Sequence, residues 1–116
     1  MANIDIASMN TQGLNDYKKR RDIFQYLKQK KFSIIFLQDT HFEKQMEKQI
    51  RSEWGYEVYF SSHTSQSRGV AILFNNNFDF QVLDVKHDLD GNYLIVTIKT
   101  MQKQEGNAQM SHKKLW

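Results

Sequence analysis

With 116 residues, 40% of them hydrophobic and 13% aromatic, the chain has the content of one small globular domain rather than of a disordered tail. It contains no cysteine, which excludes disulfides, zinc-thiolate sites and a thiol nucleophile, while a net charge of +3 suits a polyanionic partner without specifying one. The start of the chain has no basic segment followed by an apolar run, and no stretch is long enough to span a bilayer, so a soluble intracellular protein of nucleus or cytoplasm, with no signal peptide and no membrane contact, is expected.

Ile4-Asp5-Ile6-Ala7-Ser8-Met9 alternates apolar with small or polar residues and reads as a first strand, ending in the polar turn Asn10-Thr11-Gln12-Gly13. A helix follows, capped by Asn15 or Asp16 and running to about Lys30, because Tyr17, Arg20, Ile23, Phe24 and Leu27 recur at the spacing of one stripe. Its other face carries Lys18, Lys19, Arg21, Lys28, Lys30 and Lys31, either as a solvated surface or as a phosphate-contacting patch.

Ser33-Ile34-Ile35-Phe36-Leu37-Gln38-Asp39-Thr40-His41 organises the chain. Four consecutive apolar residues cannot alternate between core and solvent, so this segment is expected to be a central strand buried on both faces. It ends in an amide, a carboxylate, a hydroxyl and an imidazole, at the strand end where α/β sheets hold ligands. Asp39 and Thr40 are also residues that simply start a turn or cap a helix.

Phe42, Met46, Ile50 and Trp54 recur every fourth residue and predict a second helix from about Glu43 to Glu53, stopped at Gly55 and braced by a Glu47–Arg51 pair. Tyr56 to Phe60 reads as a strand, followed by the hydroxyl-rich loop Ser61 to Arg68. Gly69-Val70-Ala71-Ile72-Leu73-Phe74 is a second strand buried on both faces, ended by Asn75-Asn76-Asn77. Asp90-Gly91 predicts a hairpin joining the Phe78 to Val85 region to Tyr93-Leu94-Ile95-Val96-Thr97-Ile98. From Met101 to Trp116 no apolar period survives, and a disordered or locally helical tail is expected. Strand, helix, strand, helix and then strands predict an α/β fold, one mixed sheet with two covering helices on one side and nothing supplied for the other.

Four segments, Ser8-Met9-Asn10-Thr11-Gln12-Gly13-Leu14, Ile35-Phe36-Leu37-Gln38-Asp39-Thr40-His41, Ser67-Arg68-Gly69-Val70-Ala71-Ile72-Leu73-Phe74 and Asp90-Gly91-Asn92-Tyr93-Leu94-Ile95-Val96, occur in this order. Together they resemble the exonuclease III-like, apurinic-type endonuclease/exonuclease/phosphatase superfamily, and more narrowly the endonuclease domain of LINE-1-like retrotransposons. The resemblance covers about Asn3 to Lys99. It implies a partial domain over residues 1–100 and a divergent tail over residues 101–116. The implied fold is the amino-terminal half of a four-layered α/β sandwich, truncated.

The chemistry the resemblance implies is metal-assisted hydrolysis of a DNA phosphodiester with Mg²⁺ or Mn²⁺ as cofactor, held by hard oxygen ligands. Asn10 matches the asparagine that orients the metal site, and Asp39 stands where the family has its metal-binding glutamate, so both are the candidate catalytic and metal residues. Lys18, Lys19, Arg21 and His41 are the candidate contacts to DNA, bound weakly and without sequence preference. Asp39 is one methylene shorter than glutamate, which withdraws the carboxylate by roughly the 1.5 Å of a carbon–carbon bond and implies weak metal binding. The family's later motifs, Tyr-x-Pro-Asn, Gly-Asp-Phe-Asn and Ser-Asp-His, have no counterpart, and His41, His63, His87 and His112 match none of them. His41 is expected to flank the site through a hydrogen bond, and the other three to lie on the surface.

The function expected is therefore part of a metal-dependent retrotransposon-type DNA endonuclease that is inactive as an isolated chain. The alternatives are a non-catalytic nucleic-acid-binding or interaction module and a gene-model product without function. An uncovered sheet face is expected to drive self-association.

Overall fold

The computed structural model describes residues 4–64, 66–104 and 107–115, with side chains described as far as residue 100. The fold is mixed α/β. A four-stranded sheet is built from β1 (Ile6–Asn10), β2 (Ile34–Gln38), β3 (Val58–Ser61) and β4 (Val70–Phe74), in the order β1-β2-β4-β3. β1 runs parallel to β2, whereas β4 is antiparallel to both β2 and β3. A second, antiparallel sheet holds β5 (Phe80–His87), β6 (Leu94–Gln104) and β7 (Asn107–Leu115).

Helix α1 (Tyr17–Gln29) starts where Asp16 accepts a hydrogen bond from the Lys18 N–H. It buries Arg20, Phe24 and Leu27 as its spacing predicts, but Tyr17 stays 54% exposed, with the Arg20 and Arg21 guanidinium groups near its ring. The predicted second helix is a 3-10 turn, Lys44–Met46, followed by α2 (Glu47–Trp54), which ends at Gly55 in the left-handed conformation. Glu47 and Arg51 do not pair. Glu47 accepts a hydrogen bond from the Ser62 hydroxyl at 2.8 Å, and the Arg51 guanidinium lies 4.9 Å from the centre of the Phe60 ring. Neighbouring groups off the helix thus offer each side chain a better contact than its i,i+4 partner.

The helices cover one face of the first sheet. Phe24 and Leu27 of α1 and Ile50 and Trp54 of α2 pack with Ile35, Leu37, Ala71 and Leu73. The Trp54 indole N–H donates to the Phe74 carbonyl at 2.9 Å, so this buried polar group is satisfied.

The other face corrects the expectation from sequence. Ile34, Ile72 and Phe74 are buried beneath Leu94, Val96 and Ile98 of the second sheet, with Phe80 stacked on Phe74 at 4.6 Å. The chain supplies its own cover there because β5 and β6 form a hairpin whose apolar side lies against β2 and β4. Over β1 that cover stops: Ile6 is 52% exposed, and farther along the strand a cavity of about 480 Å³ is lined by Ser8, Phe36, Gln38, Val70, Tyr93 and Leu94.

Beyond Met101, where a disordered or locally helical tail is expected from sequence, β6 continues to Gln104 and β7 runs from Asn107 to Leu115, which pairs with Val96; residues 105, 106 and 116 lie outside the described residues. Ladder pairing satisfies backbone groups whatever the side chains, and β6 offers the edge that β5 leaves free.

Candidate functional site

The parallel pairing of β1 with β2 places Asn10 opposite Gln38, so the polar ends of both strands emerge side by side. The ladder continues into the loops: the N–H groups of Thr11, Gly13 and Leu14 donate to the carbonyls of Gln38, Asp39 and Thr40 at 2.9, 2.7 and 2.8 Å. The Thr11 hydroxyl lies 3.0 Å from each of the Gln38 and Asp39 carbonyls, and Leu14 is fully buried beyond them. Sequence reasoning had given Thr11 no role.

A third loop joins from the other side. The N–H groups of Thr40 and His41 donate to the carbonyls of Gly69 and Arg68 at 3.0 and 2.8 Å, and the Gly69 N–H donates to Gly91 at the β5–β6 turn. Gly69 has φ +91, and a Cβ there would come within 2.6 Å of the buried Thr40 hydroxyl oxygen, so glycine is required by both conformation and space. Gln12, Asp39, His41 and Arg68 all have positive φ, between 51° and 63°. Of the five non-glycine residues in that region among the described residues, four therefore surround this strand end, where cross-linked loops hold backbone of low intrinsic stability.

At the centre, the His41 Nε2 lies 2.8 Å from the Asp39 Oδ1, with both side chains only partly exposed. An Nε2–H makes this a hydrogen bond to the carboxylate. Asn10 is exposed, and its amide oxygen accepts the Gln12 N–H at 3.1 Å, which closes a tight turn. Asn10, Asp39 and His41 thus belong to one strand-end cluster. His63 is half-buried and His87 exposed, whereas the His112 side chain lies outside the described residues.

The basic residues of α1 divide. Lys19 reaches back to the Thr11 carbonyl, at 2.8 Å, and so braces the loop after β1. Lys28 lies over the Trp54 and Tyr56 rings, and Lys30 over Tyr26. Lys18 and Arg21 are exposed, Arg21 with a 3.5 Å contact to Asp22. Arg20, which the stripe pattern had put among the core residues, is 2% exposed and bridges the site to α2. It donates to the Leu14 carbonyl at 2.9 Å and to both carboxylate oxygens of Glu53. That hydrogen-bonded guanidinium holds the Glu53 carboxyl below its ordinary pKa, outweighing the opposing effect of burial, with Gln49 assisting.

The donor set can be compared with what a hard divalent ion needs. The carboxylate of Asp39 and the amide of Asn10 are the right kind of ligand. One oxygen of each is already engaged, by the His41 ring and the Gln12 N–H, and among the described residues no group of three or more His, Cys, Asp or Glu side chains is placed to hold a metal. These residues do not by themselves fit a resident Mg²⁺.

No protein-family model matches the chain. Over 96 residues, 83% of this chain, it is 29% identical to the "Transposon TX1 uncharacterized 149 kDa protein" of Xenopus laevis. The matched stretch spans 7% of that protein's length. The chain is therefore similar in sequence to a small part of a transposon protein.

Proposed function

We propose that the chain is part of a retrotransposon-type, metal-dependent DNA endonuclease and forms the Asn10–Asp39 edge of its phosphodiester-cleaving site. The observation that carries this reading is the register of the parallel strands, which sets Asn10 at the end of β1 opposite Gln38, the residue before Asp39, in a chain that is similar to a transposon protein. In this reading Asp39 and Asn10 would be two of the oxygen ligands of a Mg²⁺ or Mn²⁺ ion, which would supply charge neutralisation at the phosphate once other donors completed the set. Among the described residues no group of three or more His, Cys, Asp or Glu side chains is placed to complete that set, so this reading requires further donors.

What the chain's own residues do is more limited. Lys18 and Arg21 attract the DNA backbone, and Lys19, through the Thr11 carbonyl, holds the loop that positions Asn10. The isolated chain then binds duplex DNA weakly and without sequence preference, and does not nick it. Supercoiled plasmid with Mg²⁺ or Mn²⁺ tests the second half: nicking that vanishes with EDTA and with Asp39→Ala would show that the chain is catalytically sufficient. Fluorescence anisotropy across a salt series tests the first. Lys18→Ala with Arg21→Ala is expected to flatten the slope by roughly one unit per lost phosphate contact. An unchanged slope would remove α1 from the DNA-contacting surface.

A second reading, a non-catalytic nucleic-acid-binding module, is favoured by the engagement of Asp39 with His41. Under that reading DNA affinity is independent of divalent ions and unaffected by Asp39→Asn.

A further inference from the structure

The pairing of Asp39 with a residue two positions along its own loop is built in from several sides. The His41 backbone is held by its N–H bond to the Arg68 carbonyl, and the Asp39 carbonyl receives the Gly13 N–H at 2.7 Å. The imidazole lies directly against Gly13, where a Cβ would come within 2.7 Å of Nδ1, so the absence of a side chain at that position makes room for the ring. Both partners have positive φ, 54° for Asp39 and 61° for His41, a conformation kept only where surrounding bonds enforce it. The ring therefore does not reach the carboxylate as one of many solvent rotamers. The loops deliver it there.

We propose that His41 is the resident partner of Asp39, taking up the carboxylate oxygen that would otherwise face a divalent ion, and that it thereby lowers the chain's own affinity for Mg²⁺ and Mn²⁺. The proposal rests on the reading of Asp39 as the metal-facing carboxylate, but it concerns the metal-free chain and is independent of DNA cleavage. An ion entering the site must either displace the imidazole or share a carboxylate whose electron density is committed to an N–H donor. Among the described residues no group of three or more His, Cys, Asp or Glu side chains gathers there to offset that loss.

The test is Mn²⁺ binding by the 116-residue chain without DNA, followed by calorimetry and by paramagnetic broadening of amide signals around Asp39. The wild type is expected to bind weakly. His41→Leu, which keeps apolar bulk but removes the donor, is expected to bind about tenfold more tightly, the lower end of what a hydrogen bond to a charged group contributes. Adding Asp39→Asn to that variant should abolish the gain. Equal or weaker binding by His41→Leu would overturn the proposal, and weaker binding would make His41 a metal ligand instead. A second measurement needs no variant: the nitrogen shifts of the His41 ring in the wild type should report a protonated Nε2, and an unprotonated Nε2 would equally overturn it. Metal binding measured in this way stands or falls separately from plasmid nicking and DNA binding.

Discussion

The Arg20 guanidinium grips both carboxylate oxygens of Glu53, Nε to Oε1 at 2.5 Å and Nη2 to Oε2 at 2.8 Å, and so ties α1 to α2. Its Nη1 also holds the Leu14 and Asn15 carbonyls, so this one side chain joins both helices to the loop after β1. Arg20→Ala removes a donor from the buried Leu14 carbonyl and the partner from Glu53, and is expected to destabilise the fold by about 3 kcal/mol, the range for breaking a buried pair from one side. Denaturant melts would read the loss, and a change under 1 kcal/mol would mean that the bridge contributes little. The pair also sets an acid limit. The Glu53 pKa is depressed in the folded chain, so its contribution is complete above the ordinary value of 4.5 and disappears as pH falls through the depressed folded value. Glu53→Gln should flatten that part of the stability profile.

Phe74 tests whether the second sheet closes the core. It is fully buried, with Phe80 stacked on it and the Tyr59 ring edge-on at 5.8 Å. Phe74→Ala is expected to cost about 3–5 kcal/mol, because the rigid sheets on either side cannot collapse into the space. A similar loss from Ile98→Ala, at about 2–4 kcal/mol, would show that β6 contributes to the same core. If Ile98→Ala leaves the melt unchanged, the second sheet is not a stabilising layer.

Tyr59 lies at the same layer and its hydroxyl donates to Glu57 at 3.0 Å. Burial first, and then the neighbouring Glu57 carboxylate, push its pKa from 10.0 up to about 12. A raised folded pKa gives a contribution present below pH 10 and lost as pH rises toward 12. Absorbance titration should therefore find one tyrosine ionising late, and Tyr59→Phe should remove that phase.

Ile6 marks the place where the cover over the first sheet ends. It is 52% exposed on edge strand β1, two residues before Ser8, which lines the cavity with Phe36 and Tyr93. Self-association through this strip is expected to be weak and concentration-dependent, because an open edge and apolar side chains coincide there. Sedimentation velocity should show the trend in the wild type and its loss in Ile6→Lys. An identical profile for both proteins would exclude β1 as the contact.

The sequence made β2 and β4 legible because unbroken apolar runs admit only burial on both faces, and made α1 legible through Arg20, Phe24 and Leu27. It hid the cover over the second face. β5 shifts register between Val82 and Asp84, which leaves Leu83 43% exposed and interrupts the period-2 pattern that would have shown an inward-facing side. At the strand ends the residue types were readable, and the bond between Asp39 and His41 was within reach of their spacing. The convergence of Gly13, Gly69 and Gly91 was not, since it depends on three loops brought together by sheet order. Lys19 looked like any other basic surface residue because its bond is to a backbone carbonyl, which carries no side-chain signature.

The placement of β4 between β2 and β3 also orders events in time. As the polypeptide leaves the ribosome, β1, α1, β2, α2 and β3 all emerge before the strand that joins them into a sheet. β2 can meet β1 early, but β3 has no sheet neighbour until Val70–Phe74 arrives, on the order of seconds after β2 at roughly 5–20 residues per second. During that interval the apolar edge of Ile34–Leu37 is open to other nascent chains. A pause in translation that falls after β2 has left the ribosomal tunnel and before Val70–Phe74 has left it would therefore lengthen the exposure of this apolar strand.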